Sequence, residues 1–135
     1  MRAFREAVEA GDMEAVEALL AEDVVFTSPV VFKPYPGKAI TAAILRAVSK
    51  VFQDFRYDRE LAGADGRDHA LVFTARVGDR ELTGCDFIRL NEDGLIGELM
   101  VMVRPLSGAQ ALAAEMGARF EDIVKEAEAR SASPS

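Results

Sequence analysis

"GCDFIRLNEDGLIGELMVMVRP", residues 84–105, is the stretch whose reading decides the fold. Two apolar, strand-forming runs flank one turn, "NEDG", which is the pattern of a β-hairpin. Side chains alternate between the two faces of a strand, so Leu82, Gly84, Asp86, Ile88 and Leu90 share one face, and Thr83, Cys85, Phe87 and Arg89 share the other. Asp86 therefore belongs to the apolar set. If that face looks inward, the carboxyl loses water, its pKa rises, and a neutral hydrogen-bond donor results. The plainer alternative is an acid paired with Arg76, Arg104 or His69, or satisfied by backbone groups. The second strand is apolar on both faces: Met100 and Met102 alternate with Leu99, Val101 and Val103. Such a strand is buried twice. The spacing assigns Leu99, Val101 and Val103 to an interior pocket and the methionines to a second subunit, or else to cover by the chain's own C-terminal helix.

Outward from this hairpin, extended segments at about 55–62 and 69–77 precede it, separated by "GADGRD" and "GD", and the short intervals fit an antiparallel meander. Before them, Ile40, Ile44, Ala47, Val48 and Val51 form one stripe, which predicts a helix from Lys38 to about Gln53. "VVFTSPVVF", with Pro29 in its middle, reads as two very short edge strands or a hairpin interrupted at the proline, and "KPYPG" as a loop. At the start, "FREAVEA" and "GDMEAVEALLAED" are two amphipathic helices, the second capped by Asp12 with Glu14 favourably placed near its dipole. After the hairpin, Leu112, Met116, Phe120, Ile123 and Val124 predict a last helix from near Ser107, weakened in its middle by Gly117. Helices first and strands after is an α+β order. The expected architecture is a curved, mainly antiparallel sheet covered by three N-terminal helices, with an additional C-terminal helix. Residues 1–130 are expected to form one domain and 131–135, "SASPS", a disordered tail.

With 135 residues, half of them hydrophobic, the chain can bury a core without disulfides or a structural metal. A formal charge of −7 repels phosphate backbones and anionic lipid surfaces, so nucleic acid and membrane are not expected partners. No apolar run approaches the roughly 20 residues of a membrane span. The single Cys85 and the acidic N-terminal stretch fit a cytoplasmic protein. One histidine, His69, without a Cys/His cluster makes no usual metal site, and no cofactor motif is present, so neither a metal nor a cofactor is expected.

The helix pair with "EAGDMEAVEALLAEDVVFTSP", a third helix beginning near a Pro-Gly, and "LTGCDFIRLNEDGLIGEL" resemble the nuclear transport factor 2 superfamily, in the branch of ketosteroid isomerase and SnoaL-like polyketide cyclases. The likeness spans residues 2–104 and implies a cone of curved sheet closed by helices, an apolar interior pocket, and commonly a homodimer through the convex face. In ketosteroid isomerase an acid kept neutral by its apolar site helps form an oxyanion hole. Asp86 matches that acid. The resemblance puts Phe4 where the isomerase has a tyrosine on the first helix, and Ser28 where it has the proton-carrying aspartate. In the cyclases the acid lies on the final strand, where this chain has Val101. A serine hydroxyl is no base near neutral pH unless another group takes its proton. A Ser28, His69, Asp86 relay lacks the "GxSxG" elbow that would support it.

The expected function is thus the binding of a small apolar molecule inside the cone, with Asp86 as its polar anchor and sole catalytic candidate. Phe4, Phe26, Ser28, Tyr35, His69, Phe73, Leu99, Val101 and Val103 are the expected lining. Tyr35, between two prolines, is either a gate at the mouth or ordinary loop packing. His69 is either a rim residue or part of a solvated turn. The alternatives are an isomerase, cyclase or hydrolase using Asp86 as acid or electrophile, and a dimerising scaffold whose cone is filled by Phe4, Phe26, Phe73 and Leu99.

Overall fold

The structure, a computed structural model, describes residues 1–132. Its elements are α1 (Arg2–Ala10), α2 (Met13–Ala18), β1 (Leu20–Thr27), β2 (Tyr35–Pro36), α3 (Lys38–Val51), β3 (Gln53–Ala62), β4 (Asp68–Val77), β5 (Arg80–Leu90), β6 (Ile96–Arg104) and α4 (Leu106–Ala132). Six strands form one open, mixed sheet in the order β2-β1-β6-β5-β4-β3. The β3 to β6 run is the antiparallel meander that the turn spacing predicts, and β1 joins it in parallel beside β6. This is an α+β fold, with helices on one side and a sheet that curves without closing.

Local chemistry accounts for most boundaries. α1 stops at Gly11, which takes the left-handed conformation (φ 71°), and Asp12 caps α2 by accepting from the Ala15 N–H at 3.2 Å. Helix α3 ends at Phe52, whose extended backbone leads straight into β3. α4 runs to Ala132, so residues 131 and 132 of the expected tail are helical, while 133–135 lie outside the described residues.

Two expectations fail near the N-terminus. "LLAED" continues no helix: α2 ends at Ala18, and β1 begins at Leu20. β1 is also no edge strand, because it lies between β2 and β6 and is eight residues long. The reason is burial. Val24 and Phe26 alternate into the core while Leu20 and Ala21 are covered at the strand's start, and a two-residue β2 within the expected "KPYPG" loop takes the edge instead. Pro29 falls beyond β1 and interrupts nothing.

The core lies between the sheet's inner face and the helices. Leu71, Phe73, Leu82, Ile88 and Leu99 are 3% exposed or less, and burying side chains of this size stabilises by about 1.5–3 kcal/mol each. Gly84 is part of that packing, since a Cβ there would press into the Phe73 ring. α4 packs along α3 and onto β4, β5 and β6. Its far end is tied down by ions: Arg130 donates to both carboxylate oxygens of Glu17 on α2, at 2.6 and 2.7 Å, and Arg46 of α3 donates to the same carboxylate at 3.0 Å.

Candidate functional site

Between the sheet and the helices lies a cavity of about 690 Å³. Aromatic and aliphatic side chains form most of its wall. Phe4 comes from α1, Phe26 from β1, Phe73 from β4, Leu99 and Val101 from β6, and Leu112, Met116 and Ile123 from α4. Phe52, Phe55, Tyr57 and Phe73 pack ring against ring, with centroids 4.9 to 6.3 Å apart. Phe4, Phe26, Phe73 and Leu99 thus occupy the cone without filling it.

Asp86 lies in this wall, 8% exposed, placed there by the alternation along β5. Its partner is Tyr57, whose hydroxyl oxygen is 2.7 Å from Asp86 Oδ2. Loss of water holds the Asp86 proton on, and the hydrogen bond from Tyr57 partly opposes this, leaving the pKa raised to about 7. The Tyr57 hydroxyl is pushed far above its usual range, first by burial and then by the charge of Asp86, so it stays a donor. Around neutral pH the pair therefore presents a carboxyl that is protonated in a large fraction of molecules beside a permanently neutral phenol. None of Arg76, Arg104 and His69 bonds to Asp86; Arg76 instead pairs with Asp54 at 3.0 Å.

The remaining residues divide. Ser28 lines the cavity, but its Oγ accepts from the Val30 N–H at 3.1 Å and so shapes the turn after β1. Tyr35 lines the cavity between Phe26 and Phe120, with centroid distances of 6.4 and 6.1 Å. Val101 lines it too. Val103 does not; it packs partly buried against the core. His69 is also outside: its Nε2 lies 2.9 Å from the Gly66 carbonyl, and it borders a second groove with Phe87, Arg89 and Met100. Ser28, His69 and Asp86 are not brought together.

Sequence reasoning passed over Tyr57. It reaches Asp86 from β3 across β4, pairing with Phe73, which in turn pairs with the side-chain-free Gly84. The one local signal is its spacing from Phe55, which puts both rings on the same face. Glu9 of α1 was also passed over. Among the described residues it is the only carboxylate besides Asp86 in the cavity wall, and it pairs with Arg5 at 3.5 Å. Arg5 in turn stands over the Tyr57 ring, 6.0 Å from its centroid. Among the described residues no group of three or more His, Cys, Asp or Glu side chains is arranged to hold a metal, and no helix is long and apolar enough to cross a membrane.

Fold and site together define a cone-shaped α+β protein with an apolar cavity and one buried acid. The chain belongs to the SnoaL-like domain family, whose model matches residues 1–99. An NTF2-like protein of unknown function from Cytophaga hutchinsonii, 18% identical with 78% of this chain and 88% of that one covered and a TM-score of 0.61, shares the fold. A steroid delta-isomerase from Pseudomonas aeruginosa is 47% identical, with 90% of this chain and 89% of that one covered and a TM-score of 0.85. An uncharacterised protein with a cystatin-like fold from Silicibacter pomeroyi is 39% identical, with 94% and 91% covered and a TM-score of 0.86. No curated protein matches the chain.

Proposed function

We propose that this protein binds a small, mostly apolar molecule inside the cone and holds one oxygen of it, a ketone or a hydroxyl, against Asp86 and Tyr57. The observation that carries this reading is a protonatable, hydrogen-bonded acid in an apolar wall beside about 690 Å³ of space, a volume within the usual range for ligand sites. A buried carboxyl is costly to keep. A ligand oxygen gives it a use, accepting from the acid form of Asp86 or donating to the carboxylate.

The 47% identity to a steroid delta-isomerase favours turnover as a second reading. In that chemistry a base takes a proton from the carbon between a ketone and a double bond. The C–H electron pair becomes part of a dienolate, and the proton returns at the far carbon, so that the double bond moves. Asp86 and Tyr57 would hold the dienolate oxygen. With Ser28 committed to its turn, Glu9 is the group in the wall able to act as base.

Two experiments separate the readings. Titration calorimetry with estradiol, a rigid phenol, should show binding to the wild type and a loss of about tenfold in Asp86→Asn, the scale of one charge-assisted hydrogen bond. No binding of phenols or ketones to the wild type would reject the first reading. Incubation with a β,γ-unsaturated steroid ketone should give a growing conjugated-enone absorbance under the second; binding without that change would reject turnover.

We also propose that two copies associate through the outer sheet face and that the protein works in the cytoplasm. The first is supported by Phe87, Met102, Val25 and Leu61, which stand 36–52% exposed on that face. Support for the second is the unpaired Cys85, which suits a reducing compartment. Imaging of a tagged protein that placed it outside the cytoplasm would reject the second.

A further inference from the structure

Gly117 sits in the interior of α4, where glycine is the poorest helix former after proline. Five of the other glycines have a positive φ, and two more, Gly84 and Gly108, have packing reasons. At Gly108 a Cβ would come within 2.9 Å of Leu82 Cβ and 3.3 Å of the Glu81 carbonyl oxygen, and at Gly84 it would meet the Phe73 ring. At Gly117 a Cβ would meet nothing within 4 Å, and the backbone there has no positive φ to require glycine. Neither packing nor conformation explains the residue.

Its place explains it. Gly117 lines the cavity at an exposed position, with Ala113 one turn before it and Met116 and Phe120 on either side, while Asp86 lies buried in the same wall. Any larger side chain at 117 would project into space that is now open. Local rules broken without a structural return are found at functional sites.

We propose that Gly117 is a specificity-determining residue: it keeps a gap in the rim through which the far end of an elongated, rigid, apolar ligand extends while its oxygen rests at Asp86 and Tyr57. The ligand class is then a multi-ring ketone or alcohol rather than a compact bicyclic one. This inference rests on the ligand-binding reading above and extends it to a helix beyond residues 1–99, the part matched by the family model.

The test compares two phenols of different length, estradiol and 2-naphthol, on the wild type, Gly117→Ala and Gly117→Leu, with melting temperature measured for each. Both variants should melt a few degrees higher, since each replaces a helix-interior glycine. In Gly117→Leu the affinity for estradiol should fall about tenfold or more through steric exclusion, with 2-naphthol held within about twofold. Gly117→Ala should lose less estradiol affinity than Gly117→Leu. A Leu variant that binds both phenols as the wild type does, or loses both equally, overturns the assignment of Gly117 and leaves the binding reading standing. A wild type that binds neither overturns the binding reading and this inference with it.

Discussion

At Asp86 the apolar wall and the Tyr57 hydroxyl pull in opposite directions, and the wall wins. With the folded pKa at about 7 against an ordinary aspartate value of 3.8, the folded protein keeps a proton between roughly pH 4 and 7 that the unfolded chain has released. The stability conferred is therefore full below the unfolded value and is lost as pH rises through the folded one, by up to about 4 kcal/mol. Asparagine at 86 does not titrate and brings no such pH dependence. Urea midpoints of wild type and Asp86→Asn should converge near pH 4 and separate in favour of the variant by pH 8. A difference that stays constant with pH would refute the raised pKa. Carbon-detected NMR should place the Asp86 titration near 7, and higher still in Tyr57→Phe, which loses the hydrogen bond; an ordinary value near 3.9 would sink the neutral-donor idea. The sequence exposed the acid through strand alternation alone. It hid Tyr57, because the contact spans an intervening strand.

Among the elements, β5 shows how a pattern becomes a site. Its inner face reads Leu82, Gly84, Asp86, Ile88, and the glycine leaves room for the Phe73 ring. Gly84→Ala should force that ring aside and cost about 1–3 kcal/mol, read as a lower urea midpoint with an unchanged slope. Unchanged stability would mean that Phe73 has another place to go. Helices α3 and α4 and the meander strands were legible from periodicity because each has a long, regular stripe. The α2 to β1 junction was not. "ALLAE" has helical propensity, and pairing beside β6 draws the chain from Leu20 onward into strand.

On the scale of the whole molecule, the outer sheet face leaves Met102 52% exposed and Phe87 38% exposed, with Val25 and Leu61 on the same face. Apolar surface of this kind is normally covered by a partner. Light scattering at micromolar concentration should give twice the 14.7 kDa chain mass, and Met102→Glu should shift it toward one chain. A single 14.7 kDa species for the wild type would reject association.

The sequence by itself determined the α+β class, the meander, the long helices and an acid on an apolar strand face, because each is written in a period of two or 3.6 residues. Tertiary structure alone decided the rest: that β1 runs parallel beside β6, that Tyr57 rather than a cation meets Asp86, that His69 and Val103 stay outside the cavity, and that α4 and Gly117 enter its wall. These depend on which distant segments the curvature of the sheet brings face to face, and no local period encodes that.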